Sequence, residues 1–427
     1  MRSVSIIIPV IRPEKAERCK KAAIENAGID PDRIEIVAEI DYEGIGAPKM
    51  VKRLVDKASH NLVVFRGDDT IPQPDYLKSA LHAMMLLPGG WGMVGLNDQH
   101  HDGEKLATHW MADKRLLEHL DGEFFHTGYS HCFCDNELMD RVKALGRYAW
   151  AKDAIIEHDH PIFNPDVEID AGYKKAYDRE NYAADWRLYV SRKIDRNGFK
   201  LGIGLPIAGR RQVNDFWISF ILAEKPDYVL LIPKMEIYEF PSDIASIRND
   251  LVKQALDHGC SHLIMMDTDQ VYPQDTIPRM LAHDKDVVGA TVHRRYPPFA
   301  PILYRGEQGA YTYVPDEEMY SGELVEVDAT GTGCILYKTE IFLDIEYPWF
   351  AIRKDPKTGR TIGEDIGLCG RLREKGYRIY VDTSLGVDHL STFRVNRATY
   401  ELFKKFSTNK GGQEPCHQEA NQAKIVK

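Results

Sequence analysis

Short apolar runs alternate with amphipathic stretches along most of the chain. In the first half, the apolar runs that predict strands lie near 3–9, 34–40, 62–66 and 92–96. The stretches whose apolar spacing predicts helices lie near 14–27, 47–58 and 75–87. The same rhythm begins again at residue 201. Alternating strands and helices are typical of a mostly parallel sheet with helices on both faces, so the pattern predicts an α/β fold.

Two acidic segments match one another across the two halves of the chain. Each is an apolar strand followed at once by carboxylates, and the match superposes Asp68 on Asp269, an offset of 201 residues. Similar segments at a fixed offset indicate an internal repeat. We therefore interpret the chain as two copies of one domain.

The predicted domain boundaries follow from this repeat. They are a first domain at 1–177, a structured connector at 178–200, a second domain at 201–406 and a mobile tail at 407–427. A length of 427 residues fits two to three domains of roughly 150 residues each. Charged and aromatic residues predict a helix in the connector. The tail is rich in Gly, Gln, Asn and Lys and has little to bury.

Composition narrows the class of protein. Apolar residues make up 43% and charged residues 28%, which is ordinary for a globular protein, and no apolar run approaches the roughly 20 residues of a membrane span. The seven cysteines are scattered without paired metal-ligand spacing, so a reducing cytoplasm is the expected location. A net charge of −10 argues against a surface that coats nucleic acid.

Two carboxylates of the second half stand one residue apart at a strand end. Asp267 and Asp269 follow the apolar run 262–266, and side chains two residues apart on a strand point the same way. Oxygen ligands so placed suit Mg²⁺ or Mn²⁺ holding a diphosphate. In the first half Asp68 and Asp69 stand at the corresponding strand end. Solvated turn residues are the alternative interpretation of both pairs.

A third acidic position and a histidine follow in the same order in both halves. Asp365 precedes His389 by 24 residues, and Asp135 precedes His158 by 23. Repetition of the order favours a functional role for all four residues. Helix N-caps for the aspartates and surface positions for the histidines remain the alternatives.

These motifs together resemble the inverting glycosyltransferases of the GT-A fold, family 2 and its relatives. In the second half the resemblance rests on Asp267–Asp269, 328–334, Glu364–Asp365 and His389, and over the whole chain it covers nearly all of residues 1–395. It implies two tandem Rossmann-like GT-A domains. In the first half Arg66 is aligned with the first aspartate of the motif.

The resemblance assigns roles that the chemistry of the residues also fits. Three residues of the second half and three of the first would hold Mn²⁺ or Mg²⁺: Asp267, Asp269, His389, Asp68, Asp69 and His158. The donor would be a nucleotide sugar of the UDP or GDP type. Asp365, and Asp135 in the first half, would take the proton of the acceptor hydroxyl as general bases.

Further residues are predicted to contact the donor. Arg248 and Asn249 start an amphipathic helix, and Lys49 is the weaker counterpart in the first half. Gly331 and Gly333 lack side-chain bulk where a backbone would approach a sugar. An exposed helix arginine and a tight turn are the respective alternatives. The aromatic pair 349–350 is predicted either to stack on a sugar or to pack in the core.

The sequence thus predicts a metal-dependent, inverting hexosyl- or pentosyltransferase with one site per half. Its substrates would be a nucleotide sugar and a glycan or other hydroxyl-bearing acceptor. A modified DNA base as the acceptor is not favoured by the net charge. In one alternative only the second half is catalytic, and the first is a glycan-binding or scaffolding module. The other is a sugar nucleotidyltransferase, which the segment 9–13 does not favour because it is not a Gly-rich basic loop.

Overall fold

The structure is a computed structural model that describes residues 2–391. It leaves out short gaps within that range, at 162, 165–166, 168, 170, 208–213, 234–242, 296–298, 308–309, 355–358 and 360. The predicted mobile tail and the end of the predicted second domain lie outside the described residues. Within them, no helix has both the length and the apolar character that crossing a membrane requires.

A seven-stranded sheet occupies the first part of the chain. Its strands are β1 (Val4–Val10), β2 (Ile34–Ile40), β3 (Leu62–Phe65), β4 (Thr70–Pro72), β5 (Met93–Asn97), β6 (Trp110–Asp113) and β7 (Tyr148–His158). The helices between these strands are α1 (Pro13–Glu25), α2 (Ala47–Lys57), α3 (Tyr76–Leu86) and α4 (Cys134–Ala144). Short 3-10 helices lie at Pro31–Arg33, Pro88–Gly90 and Lys114–His119. The strands and helices predicted for this part are confirmed.

The strand order of this sheet is β2-β1-β3-β6-β5-β7-β4. The β1-β2, β1-β3 and β5-β7 pairs are parallel, whereas β6 runs antiparallel to both of its neighbours and β4 runs antiparallel to β7. The prediction of a mostly parallel sheet is therefore wrong, and the sheet is mixed. The chain returns from β5 to β6 without an intervening helix, so the two strands can pair antiparallel.

A helical segment links the two sheets. It consists of α5 (Ala171–Ala176) and α6 (Arg179–Asn197), and the second of these confirms the helix predicted in the connector. The Asp178 side chain caps α6 by accepting hydrogen bonds from the first turn. Tyr189 of α6 packs against the core of the first sheet, and Ile194 is buried in the core of the second.

The second sheet has eight strands, which are β8 (Leu201–Gly204), β9 (Tyr228–Leu231), β10 (His262–Met266), β11 (Gln270–Val271), β12 (Val287–Val292), β15 (Leu324–Val327), β17 (Cys334–Lys338) and β20 (Ile379–His389). Five short strands form two small sheets, namely β13 (Leu303–Arg305), β14 (Thr312–Tyr313), β16 (Ala329–Thr330), β18 (Arg353–Lys354) and β19 (Thr361–Ile362). The helices are α7 (Asn214–Leu222), α8 (Ile244–Asp257), α9 (Thr276–Ala282), α10 (Asp316–Met319) and α11 (Glu364–Glu374), with a 3-10 helix at Thr339–Leu343. This sheet is also mixed.

The two sheets share a central pattern. In each, a parallel pair (β1 with β3, β8 with β10) is followed by an antiparallel strand (β6, β17), and then by a parallel pair (β5 with β7, β12 with β20). A further short strand (β4, β11) pairs antiparallel with the last of these. Both acidic segments lie in the turn before this short strand, so the same edge of each sheet carries the candidate site.

Candidate functional site

The register of the sheets fixes how the two acidic segments correspond. Thr70 pairs with His158 in the first sheet, and Gln270 pairs with His389 in the second. Thr70 and Gln270 are therefore equivalent positions, and the offset between the two halves is 200 residues. The predicted offset of 201 is wrong by one residue.

The corrected register changes which residues are equivalent. Asp69 corresponds to Asp269 and Gly67 to Asp267, so the predicted match of Asp68 with Asp269 is wrong. Side chains on an extended chain alternate between the two faces, and a shift of one residue therefore exchanges the side chains that face the site for those that face away. The sequence match rested on residue similarity, which does not detect such a shift.

Arg66 was aligned with Asp267 but occupies the place of Met266 in the core. Its side chain is fully buried and lies over the ring of Tyr76, with 5.4 Å between the guanidinium carbon and the ring centroid. Its Nη2 donates to the carbonyl of Thr70 at 2.9 Å. Arg66 is therefore part of the packing behind the edge and does not face the candidate site.

In the second half, one aspartate and one histidine face each other across the turn. The distance from Asp269 Oδ1 to His389 Nε2 is 3.7 Å, and Arg295 donates hydrogen bonds to both side chains. His389 Nδ1 lies 2.8 Å from the carbonyl oxygen of His293, which can only accept a hydrogen bond. The neutral ring therefore carries its proton on Nδ1, and the Nε2 lone pair accepts the hydrogen bond from Arg295.

Arg248 joins the other aspartate of the motif to the start of α11. It is buried, and its Nη2 lies 3.2 Å from Asp267 Oδ1 while its Nη1 lies 2.6 Å from Glu364 Oε1. Burial raises the pKa of Asp267, and burial together with the charge of Asp365 raises the pKa of Glu364. The alternative of an exposed helix arginine is wrong for Arg248, whereas its predicted contact with a donor stays a prediction.

Asp365 is the second residue of α11. Its Oδ1 accepts a hydrogen bond of 2.7 Å from the backbone N–H of Ile366, and a Cβ placed on Gly331 would lie 3.8 Å from its Oδ2. The same Cβ would lie 3.3 Å from Ile302 Cδ1, and Gly331 is buried, so this glycine lets Ile302 and the predicted base lie close to the backbone. A Cβ on Gly333 would instead collide with the amide group of Gln270, so this glycine is needed for close packing.

Asn249 is buried and bonded on both sides of its amide group. It donates to the carbonyl of Phe350 at 2.8 Å and accepts from the N–H of the same residue at 2.9 Å. Trp349 is also buried, and its indole N–H donates to the carbonyl of Phe342 at 2.7 Å. The aromatic pair packs in the core, as one of the two predictions had it. The contacts of Asn249 favour a structural role over the predicted donor contact.

In the first half, Asp68 points back toward the loop after β1. Its Oδ2 accepts from the backbone N–H groups of Ile11 and Arg12 at 2.7 and 2.6 Å, and its Oδ1 accepts from the Arg12 guanidinium at 2.9 Å. Burial raises the pKa of Asp68. Its predicted role as a metal ligand stays a prediction, and the hydrogen bonds already made by its oxygens favour a structural role.

Asp69 repeats the carboxylate–imidazole pair of the second half. The Oδ1 atom of Asp69 lies 3.5 Å from His158 Nε2, and the hydroxyl of Tyr173 donates to Oδ2 of Asp69. Burial acts to raise the pKa of Asp69, but the hydrogen bond and charge of His158 outweigh it and lower that pKa. The positions equivalent to Asp269 and His389 therefore hold the same two residue types.

Asp135 and Lys49 complete the predicted residues of the first half. Asp135 is the second residue of α4, and its Oδ1 accepts from the N–H of Asn136 at 2.9 Å, as Asp365 does in α11. Burial raises the pKa of Asp135. Lys49 is exposed on α2. The catalytic role of the one and the donor contact of the other stay predictions.

The structure also assembles a group that the sequence did not suggest. One ligand atom from each of Asp98, His109 and His158 lies within 4.8 Å of the others. Burial and the charge of His158 lower the pKa of His109 to about 3, so its imidazole is neutral. Asp98 and His109 flank the loop between β5 and β6, whereas His158 is distant in sequence and is brought to them only by the pairing of β5 with β7. The high density of histidines after β5 was the one feature of the sequence that could have indicated this group.

Comparison with known proteins yields only partial matches. No family model and no curated protein matches the chain. Among solved structures, A197 from STIV matches with 18% identity over 45% of this chain and 87% of its own, at a TM-score of 0.32. The mannosyltransferase PcManGT from Pyrobaculum calidifontis, in complex with GDP-Man and Mn²⁺, matches with 16% identity over 46% and 66%, at 0.36. S. aureus TarS matches with 12% identity over 45% and 40%, at 0.33. Similarity at this level does not identify a function.

Proposed function

We propose that the second half is a metal-dependent, inverting glycosyltransferase that uses a UDP- or GDP-sugar as the donor and a hydroxyl group as the acceptor. The observation that carries the proposal is the pair of Asp269 and His389 at one edge of the second sheet, beside Asp267, although the ligand atoms of these three residues do not all lie within 4.8 Å of one another. Buried arginine contacts tie the acidic turn to the start of α11, which brings the predicted metal ligands and the predicted base together. Ligand sites of open α/β sheets lie at such edges.

The contacts of Arg295 support a cation site at this edge. The Arg295 side chain donates to Asp269 and to His389 Nε2, so a positive group already bridges two of the predicted metal ligands. The Nε2 lone pair of His389 is held toward the site by the hydrogen bond from Nδ1 to a backbone carbonyl, which is common for metal-binding histidines. A carboxylate and an imidazole suit Mn²⁺ or Mg²⁺. When bound, the cation would neutralise charge on the diphosphate leaving group.

Asp365 is the residue that we propose to accept the proton of the acceptor hydroxyl. It lies beside Gly331, which has no side chain that could cover the Asp365 carboxylate. Direct attack by the hydroxyl on the anomeric carbon inverts the configuration at that carbon. A positioned base of this kind contributes about 10²–10⁴-fold to the rate.

For the first half, the contacts favour the alternative without sugar transfer. We propose a tandem arrangement of two related domains, 1–177 and 201–406, in which the first acts as a glycan-binding or scaffolding module. Gly67 stands where the second half has Asp267, and the oxygens of Asp68 are occupied by the loop after β1. A second transferase site with Asp135 as its base remains the competing proposal, and the variants described in the Discussion separate the two.

A screen of nucleotide sugars for Mn²⁺-dependent turnover by the full chain tests the proposed function. We expect turnover of one donor, loss of activity in excess chelator and recovery when Mn²⁺ is restored. Asp269→Ala should weaken donor binding. Asp388→Asn is the matched control, because Asp388 is exposed on the opposite face of β20. Activity that survives the chelator, or unchanged donor affinity in Asp269→Ala, would show the metal assignment to be wrong.

A further inference from the structure

Three side chains from neighbouring strands of the first sheet meet at its site edge. Asp98 follows β5, His109 precedes the antiparallel strand β6, and His158 ends β7. In the order β6-β5-β7 these three positions fall at the same edge. We propose that these residues, here named the imidazole cluster, bind a divalent transition-metal cation of the Zn²⁺ class, at a site distinct from the proposed Mn²⁺ or Mg²⁺ site of the second half.

The hydrogen bonds of Thr108 fix which nitrogen of His109 is available. The Thr108 hydroxyl donates to Asp98 Oδ2 at 2.8 Å, and its oxygen lies 3.0 Å from His109 Nδ1. Because the hydroxyl proton is used on the carboxylate, the oxygen accepts from Nδ1–H. The lone pair of His109 is then on Nε2, as in metal sites where a histidine is oriented by a hydrogen bond from its other nitrogen.

His158 has a ring nitrogen that the protein does not satisfy. Its Nε2 faces Asp69, while its Nδ1 is buried without a hydrogen-bond partner among the described residues. Its ring stands nearly perpendicular to that of His109, at 87° with 4.7 Å between centroids. A buried polar atom without a partner destabilises the folded protein, and a bound cation would remove that penalty.

Asp98 is held in place by the backbone. Its Oδ1 accepts from the N–H groups of His100 and His101 at 3.0 and 2.9 Å, and His101 Nδ1 lies 2.6 Å from Oδ2. These contacts orient the carboxylate, and Oδ2 also accepts from the Thr108 hydroxyl, so both oxygens already have partners. A cation bound at Oδ2 would take the place of the contact with His101.

The cluster is specific to the first half. The strand registers place Val292, Cys334 and His389 at the three equivalent positions of the second half, so only the histidine at the end of the last strand is common to both. The first half in turn has Gly67 in place of an aspartate. A Cβ on Gly67 would lie 2.6 Å from Asp69 Oδ1 and 3.6 Å from His109 Nε2, so the missing side chain lets the Asp69 carboxylate lie close to the cluster.

Two imidazoles and one carboxylate select the class of metal. Zn²⁺ binds such ligand sets with a fourth position left to water or another ligand, whereas Mg²⁺ and Ca²⁺ favour oxygen ligands alone. The ligand atoms lie up to 4.8 Å apart, and small side-chain movements would bring them into a tetrahedral arrangement.

The test uses metal binding to the full chain with the second-half site disabled. Metal-free Asp269→Asn/His389→Gln protein is titrated with Zn²⁺ by calorimetry, and with Co²⁺ while the visible absorption of tetrahedral cobalt is followed. We expect one equivalent to bind with the tetrahedral spectrum. Adding His109→Gln should weaken binding by at least about tenfold, since even the outer partners of metal ligands contribute 10–100-fold, and should remove the spectrum.

His100→Gln in the same background is the matched control, because His100 is exposed and its side chain is outside the cluster. It should leave binding and spectrum unchanged. Thermal unfolding in the presence of chelator checks that each variant folds, and Asp98→Asn provides a second ligand change that keeps the size of the side chain. Absence of Zn²⁺ binding in the parent variant, or equal binding after His109→Gln, would overturn the proposal. Sugar transfer is not measured, so the result is independent of the proposed function.

Discussion

The two halves of the molecule carry the same central strand pattern and different chemistry at the edge where the strands end. In the second half the edge presents carboxylates, and each of Asp267 and Asp269 is paired with an arginine. In the first half Gly67 stands in place of one of these aspartates and Asp69 in place of the other. The imidazole rings of His109, His158 and His160 lie close to Asp69 and to one another. The sheet determines where a site lies, and single positions in its turns determine which ligand the site suits.

The catalytic comparison is tested by the two helix-start aspartates. Asp365→Asn should lower transfer by about 10²–10⁴-fold, because the amide cannot accept the proton of the acceptor hydroxyl, while donor binding is kept. Initial rates and donor affinity of the full chain measure the two effects. Glu374→Gln, at the exposed end of the same helix, is the control. A near-normal rate in Asp365→Asn would remove this residue from the mechanism.

Asp135→Asn tests the equivalent aspartate of the first half. If the first half does no sugar transfer, the product of the full donor and acceptor mixture should be unchanged in this variant. Mass analysis of the products decides the matter, since a new, shorter product would show that both halves transfer sugars. The same experiment therefore separates the binding module from a second transferase site.

The secondary structure of the first half could be predicted from the sequence, because apolar spacing reports on local burial. The antiparallel course of β6 could not, since the direction of a short buried strand depends on its partners in the sheet. Motif spacing did suggest the pair of Asp269 and His389, whereas a metal site with Asp267 stays a prediction. The correspondence between the acidic segments needed the strand register, because over residues 62–73 the offset of 201 pairs four identical residues and the offset of 200 only one.

The imidazole cluster shows a second limit. His109 follows Asp98 by 11 residues across the loop between β5 and β6, but His158 lies 49 residues further along, and only the strand order places it beside them. Asn249 shows the reverse case, because the predicted helix start at this residue suggested a ligand contact. That prediction is wrong, since α8 begins at Ile244, and the Asn249 amide group is used by a distant backbone segment. Contacts between residues far apart in sequence account for both differences.

Ion pairs between the connector helix α6 and α4 stabilise the first half, and the equivalent position of the second half cannot form them. Glu137 of α4 is buried and bonded to Arg192 and Arg196 of α6, with the shortest distance 2.6 Å, whereas the equivalent position of α11 is Gly367. Glu137→Gln leaves two arginines without their shared acid, and we expect a loss of roughly 3 kcal/mol in the free energy of unfolding. Urea unfolding measures it. Glu180→Gln, exposed on the same helix, should stay within about 0.5 kcal/mol.

The pH dependence of this effect has a definite sign. Burial acts to raise the pKa of Glu137, but hydrogen bonds from Arg192 and Tyr129 outweigh it and lower that pKa below the ordinary 4.5. The stabilisation is therefore complete above pH 4.5 and is lost as the pH falls through the lowered pKa of the folded state. The difference between the wild-type protein and Glu137→Gln should shrink over that range. A difference that stays constant down to acid pH would show that the charge of Glu137 is not its cause.

The smallest expected effect concerns a core position that is an arginine in the first half and a methionine in the second. Arg66 is fully buried, its Nε has no hydrogen-bond partner among the described residues, and the equivalent residue of the second half is Met266. Replacing a buried charge by an apolar side chain of similar size is often neutral or stabilising by 1–4 kcal/mol. We expect Arg66→Met to raise the free energy of unfolding by about 1 kcal/mol, at the low end of that range, because the hydrogen bonds to Thr70 are lost. Arg66→Ala should destabilise instead, since it leaves a cavity. If Arg66→Met destabilises as much as Arg66→Ala, the guanidinium itself holds the acidic turn in place, and the two halves use different means to fix the same edge.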